Sequence, residues 1–118
     1  EQGDQVLKVI TRAAKDLMRG TDLLVRWGGE EFLVVAPNTD AAQGFALAEN
    51  IRIAIEKTPI EGCHNVTVSM GVSLIAAGHS IEDALGRADA ALYRAKDTGR
   101  NRCIMAEDAL PLEAAPVH

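Results

Sequence analysis

Apolar side chains recur at Val6, Ile10, Ala13, Ala14 and Leu17, at the spacing that gives a helix from Asp4 to about Arg19 one apolar face. Gly20 follows where a left-handed cap would close it. Two β-prone runs come next, Leu23 to Trp27 and Glu31 to Ala36, on either side of Gly28-Gly29, and paired glycines suit the positive φ angles of a tight hairpin. Pro37 stops the second run, and Asn38, Thr39 and Asp40 offer capping oxygens to a second helix. That helix has the stripe Gly44, Leu47, Ala48, Ile51 and Ile55 and ends near Lys57, before Pro59. Val66, Val68, Met70, Val72 and Leu74 then alternate with Thr67, Ser69, Gly71 and Ser73, the period of a strand with one buried face. Ser80 can cap a third helix with inner face Ile81, Ala84, Leu85, Ala88, Leu92 and Ala95, ending before Gly99, and residues 101–105 suit a last short strand.

The order α, β-hairpin, α, β, α predicts an α+β fold, an antiparallel β-sheet flanked by helices. With 118 residues, 47% of them hydrophobic, the chain can enclose one core and is too short for two. One domain is expected over 1–106, followed by a flexible tail at 107–118 that has two prolines and little periodicity. A net charge of −5 gives no broad attraction to nucleic acid or an anionic membrane, so any phosphate site must be local. Cys63 and Cys103 lack the spacing of a zinc or redox motif and suit reduced thiols in the cytoplasm. No apolar run is long enough to span a bilayer, so an anchor of the parent protein would lie outside this sequence. His64, His79 and His118 have no partner at a ligand or triad spacing.

Three segments in order carry a family resemblance. Arg26-Trp27-Gly28-Gly29-Glu30-Glu31-Phe32 resembles the signature hairpin of the GGDEF family, with glutamate at its third position. Residues 66–73, VTVSMGVS, resemble that family's T(V/I)S(I/M)GV strand, and residues 87–101 resemble its RADxALYxAK...GRN ending. Gly3-Asp4 sits where the family's GHxxGD segment ends, so the similarity runs from Gly3 to about Arg102. It implies a nucleotidyl-cyclase palm-like fold and the catalytic domain of a diguanylate cyclase, which joins two GTP molecules into cyclic di-GMP and releases two pyrophosphates. The family's opening strand, which bears a metal-binding Asp, and its FKxxND segment are not in this sequence. The 118 residues alone are therefore expected to make no product.

The resemblance also implies roles for residues. Glu30 is the expected ligand of Mg²⁺ (or Mn²⁺), a hard ion that prefers oxygen donors, with Glu31 as a supporting catalytic residue and Gly28 and Gly29 letting backbone approach the nucleotide. Asp4 reads guanine, whose N1–H and amine can both donate to a carboxylate; on chemistry alone a helix N-cap is an equal reading of that residue. Lys96 and Arg100 grip the β- and γ-phosphates, although basic groups at a helix C-terminus also complement its dipole. Asp89 and Tyr93 are structural supports. Arg19 and Asp22 form an RxxD at the spacing of the family's inhibitory site for cyclic di-GMP; without that register they would read as a surface ion pair. Asn50 replaces an arginine that strengthens this site in some members, so weakened inhibition is expected.

The resulting expectation is a diguanylate cyclase acting as a homodimer on GTP, restrained by its product, under an unidentified N-terminal regulatory domain. The alternative is a catalytically inactive module that senses GTP or cyclic di-GMP. A purely structural dimerisation module gives no reason to keep Asp4, Glu30 and Arg100 together.

Overall fold

The computed structural model describes residues 2–28, 31–60, 62, 66–75 and 78–106, with the side chains of 2–4, 25–28, 31 and 32 excepted. Its elements follow the expected order: α1 (Gln2–Leu17), β1 (Leu23–Gly28), β2 (Glu31–Val35), α2 (Ala41–Lys57), β3 (Met70–Val72), α3 (Ile81–Asp97) and β4 (Cys103–Met105). The α+β class holds. The expected tail at 107–118 lies outside the described residues.

Helix α1 already includes Gln2, so Asp4 lies in its first turn and not at its cap. Gly20 takes up no left-handed φ, contrary to expectation. The carboxylate of Asp22 instead orders the turn that follows α1, accepting the Arg19 backbone N–H at 2.8 Å. Asp40, out of the three candidate caps, opens α2 in a reciprocal capping box: Gln43 N–H donates to Asp40 Oδ1 at 2.7 Å, and Asp40 N–H donates to Gln43 Oε1 at 3.0 Å. Ser80 caps α3 as expected.

Ala14 of α1 meets Ile51 and Ile55 of α2 at the centre of the core, joined by Ile10, Leu24, Leu47, Val66, Val68 and Met70. The alternating run from Val66 thus turns its apolar positions inward as predicted, yet only Met70–Val72 forms a paired strand. Its partner β4 is three residues long because Arg100 and Asn101 spend the preceding positions in a left-handed turn, at φ 61° and 48°. Strand β4 accordingly starts at Cys103 and not at Asn101.

The sheet differs from expectation in one further respect. Strands β1 and β2 are antiparallel, but β3 and β4 are parallel, and the two pairs form separate two-stranded sheets among the described residues. Helix α3 lies between β3 and β4 in the chain and carries it back to the end where β3 began, the crossover that a parallel pair requires. The helix seats on this pair through small residues, Ala84, Ala91 and Ala95, while Ile81, expected inside, is exposed. Gly71 is where they touch most closely: a Cβ there would collide with the Ala88 carbonyl oxygen and lie 2.6 Å from the Leu92 nitrogen. Arg87 donates to the Leu74 carbonyl at 2.8 Å and pairs with Asp83 at 3.1 Å, fastening the loop after β3 to the helix. Among the described residues, no helix is long and apolar enough to cross a membrane.

Candidate functional site

The C-terminal end of α3 presents two cations. Lys96 lies in its last turn, and the chain then leaves through Thr98 and Gly99, the latter at φ 132°. Arg100 N–H donates to the Ala95 carbonyl at 2.9 Å, a six-residue closure of Schellman type that satisfies a carbonyl the helix would leave open. Arg102 Nε donates to the Arg100 carbonyl at 3.1 Å. The backbone of Arg100 is thus held on both sides while its side chain, like that of Lys96, is exposed and enters no ion pair among the described residues. Two cations of this kind, one a fork and one a point charge, suit the oxygens of a polyphosphate. Asp89 and Tyr93 are exposed on the same helix, so they do not support it by packing.

A network that sequence reasoning missed lies directly behind Arg100. Arg52 of α2 holds Glu49 with both arms, Nε to Oε2 at 3.2 Å and Nη2 to Oε1 at 2.9 Å. Its Nη1 donates to Asn101 Oδ1 at 2.9 Å and stands 3.6 Å from Glu56 Oε1. Asn101 Nδ2 donates to Glu56 Oε2 at 2.8 Å, and Asn101 N–H donates to Ser69 Oγ at 3.1 Å. The Arg52 fork, 15% exposed, holds the Glu49 carboxyl below the usual carboxylate range, and Glu49 in turn raises the Arg52 guanidinium. Burial, and then the Glu49 carboxylate, push the Cys103 thiol up to about 12. The available signal was Glu49, Arg52 and Glu56 at helical spacings of three and four, beside an asparagine two residues past a glycine stop.

The Arg19–Asp22 turn is built the other way round. The Asp22 side chain is 1% exposed and accepts from Arg19 twice, from the backbone N–H and from Nη2 at 3.2 Å. The backbone N–H of Arg19 is the larger cause holding the Asp22 carboxyl below the usual carboxylate range, against the opposing effect of burial. Arg19 Nη2 also donates to the Pro37 carbonyl and to Thr39 Oγ1, each at 2.6 Å, while its side chain as a whole is 53% exposed. The arginine therefore faces outward, and the aspartate faces the fold. Asn50 is exposed on α2.

Of the hairpin residues, Gly28 ends β1 and pairs with Glu31, which opens β2; Arg26 pairs with Phe32, so Trp27 is an extra residue in the register, a β-bulge. The bulge carries β1 one residue beyond the expected end at Trp27, and Gly29 and Glu30 lie outside the described residues. Asp4 is fixed by its backbone in the first turn of α1 and Glu31 by its place in β2; their side chains are not described. Among the described residues, no three His, Cys, Asp or Glu side chains are grouped to hold a metal.

The sequence profile of the family described as "Diguanylate cyclase, GGDEF domain" matches residues 1–102. The chain is 43% identical over 105 residues to Diguanylate cyclase DgcM of Escherichia coli (strain K12), a match that covers 89% of this chain and 26% of that protein. It thus spans about a quarter of the length of that relative. Among solved structures it resembles the active GGEEF domain of a diguanylate cyclase from Vibrio cholerae, with TM-score 0.83 and 36% identity over 92% of this chain and 70% of that one. It also resembles the GGDEF domain of DgcB from Caulobacter crescentus in complex with c-di-GMP, with TM-score 0.81 and 32% identity over 90% of this chain and 66% of that one. Sequence and fold agree: the chain belongs to the GGDEF family.

Proposed function

We propose that this chain forms the larger part of a diguanylate cyclase catalytic domain, in which two copies each present one GTP to the other. The 3′-hydroxyl oxygen of one GTP forms a bond to the α-phosphorus of the second, the bond to the bridging oxygen breaks, and pyrophosphate leaves as the hydroxyl proton is lost. Repetition in the opposite sense closes the ring of cyclic di-GMP. Alignment and charge stabilisation dominate such a transfer. Lys96 and Arg100 hold the β- and γ-phosphates, and Asp4 holds guanine. Glu30, a hard oxygen donor beside a glycine turn, is the ligand for a divalent cation, Mg²⁺ or Mn²⁺, whose charge offsets that of the phosphates. Glu31 supports the hairpin end, where Gly28 and Gly29 admit the nucleotide.

The observation that carries this reading is the exposed Arg100, fixed by its own backbone in a left-handed turn one helical turn beyond Lys96. Cyclic di-GMP returns to Arg19, whose outward guanidinium suits a phosphate, while Asp22 holds the turn that aims it. In the full-length protein with Mg²⁺, Arg100→Ala is expected to lower pyrophosphate release from GTP at least about tenfold. Unchanged turnover would remove Arg100 from the site. Cyclic di-GMP binding with no turnover in the unaltered protein would establish the sensor reading in its place.

A further inference from the structure

We propose that Arg52 of α2 is a positioning residue for Arg100, acting through Asn101. The inference rests on the reading of Arg100 as a phosphate ligand and adds how that ligand is aimed.

Arg100 and Asn101 are consecutive non-glycine residues at positive φ, 61° and 48°. A left-handed residue of this kind costs about 1–2 kcal/mol, less for asparagine than for arginine, so such a turn persists only where its surroundings determine it. The bonds to Ala95, buried in α3, and to Arg102, whose carbonyl accepts the Met70 N–H at 3.0 Å, hold the backbone of Arg100 from α3 and β3 but give it no contact with α2. Asn101 is what ties the turn to α2. Its amide oxygen accepts from Arg52, its amide nitrogen donates to Glu56, and its backbone N–H donates to Ser69, so α2 and the segment before β3 grip a single residue. Arg52 can serve as the anchor because Glu49 takes its Nε and Nη2 in a bidentate pair, which fixes the guanidinium plane with Nη1 facing Asn101 and Glu56. Glu56, bonded to Asn101 and 3.6 Å from Arg52, completes a closed triangle of three side chains. Arg52 and Glu56 both bond to Asn101, the neighbour of Arg100, and no ion pair among the described residues goes to Arg100 itself. That is the arrangement of a support, and it differs from a surface ion pair because it joins residues 49 apart in the chain.

A mere stability role and a positioning role separate on which nucleotide suffers. The full-length protein is titrated calorimetrically with a non-hydrolysable α,β-methylene analogue of GTP and with GMP, which lacks the β- and γ-phosphates. Arg52→Gln and Asn101→Gly are compared; glycine accepts the left-handed φ freely, so Asn101→Gly removes the tether without straining the turn. Each is expected to weaken the triphosphate about three- to tenfold, the worth of an ordinary hydrogen bond, and to leave GMP unchanged. Arg52→Lys should not rescue, since an ammonium cannot hold Glu49 with two arms and reach Asn101 as well. On an Arg100→Ala background neither substitution should weaken the triphosphate further. Equal losses for both nucleotides, or losses that add to that of Arg100→Ala, overturn the positioning role while leaving Arg100 a ligand. If Arg100→Ala alone leaves triphosphate affinity unchanged, the phosphate reading fails, and the positioning role fails with it.

Discussion

Two arginine–carboxylate arrangements in this domain use the same chemistry to opposite ends. Around Arg52 the arginine is largely buried and does the holding, and what it holds is the turn that leaves Arg100 exposed. Around Arg19 the carboxylate is buried and does the holding, and the arginine itself is half exposed. The lesson is that an ion pair reads as structural or functional only once it is known which partner faces the fold. A ligand-facing cation needs a support that is not itself, whether a second arginine network or a buried aspartate.

The largest break in this comparison is expected at Gly71. Its Cβ would meet backbone atoms of α3 on both Ala88 and Leu92, which cannot swing aside as a side chain could. Gly71→Ala should destabilise the domain by at least about 2 kcal/mol, read as a lower urea midpoint with unchanged slope. Because β3 and α3 carry the Arg100 turn and not the Arg19 turn, the same variant, without urea, should weaken triphosphate binding more than cyclic di-GMP binding. A midpoint equal to that of the unaltered protein would show that α3 can shift on its seat.

Next in size is the contrast within the Arg19 pair. Asp22→Ala removes the acceptor that orders the turn after α1 and leaves the Arg19 N–H without that partner, so the melting temperature should fall by several degrees. Arg19→Ala should cost far less, since an exposed cation loses contacts that water can replace, yet it should abolish most cyclic di-GMP binding. Equal thermal losses from the two variants would contradict the assigned orientation.

Acid titration gives a smaller effect with a definite sign. Glu49 and Asp22 are both held below their ordinary values, 4.5 and 3.8, so each binds protons less readily folded than unfolded. Their stabilisation is complete above those values and is lost as pH falls through the folded ones. The contribution of Glu49 should begin to fade first. Glu49→Gln should therefore flatten the upper part of the decline in melting temperature below about pH 4.5, and Asp22→Asn the lower part. An acid profile untouched by Glu49→Gln would mean that the Arg52 pair adds no stability.

How much of this was legible follows from the range of each interaction. The helices, the hairpin and the inward positions of Val66, Val68 and Met70 rest on local periodicity, and the sequence carries that directly. The parallel pairing of β3 with β4 depends on what α3 packs against, a tertiary fact that alternation cannot express. The Trp27 bulge extends β1 to Gly28, one residue past the expected end, because paired glycines in a sequence do not fix the register of the strands beside them. In the candidate site, Lys96, Arg100 and the RxxD pair were singled out through motif and spacing, as expectations that binding measurements test. Arg52 and Asn101 were not, since their bond joins residues far apart in the chain and neither has an unusual neighbour. The buried state of Asp22 was equally invisible, because it arises from the turn its own carboxylate closes.

The smallest effect is expected at Thr39, and it bears directly on which way Arg19 faces. Thr39 Oγ1 accepts from Arg19 Nη2 at 2.6 Å and itself donates to the Pro37 carbonyl at 3.0 Å, so the hydroxyl and that carbonyl together draw one arm of the guanidinium back towards the loop after β2. A phosphate of cyclic di-GMP bound at Arg19, as proposed, would compete for that arm or pair with the rest of the fork. Thr39 is half-buried and its bonds are to exposed partners, so Thr39→Ala should change stability by less than about 0.5 kcal/mol. With one competing acceptor gone, cyclic di-GMP should bind about two- to threefold more tightly, and product inhibition should set in at correspondingly lower concentration. Calorimetry on the full-length protein measures the first quantity and a progress curve of pyrophosphate release the second. Weaker binding would carry the opposite meaning: Thr39 would then be holding Arg19 in its ligand-bound pose, as Asn101 holds the turn of Arg100, and the two arginine sites would share one design instead of mirroring each other.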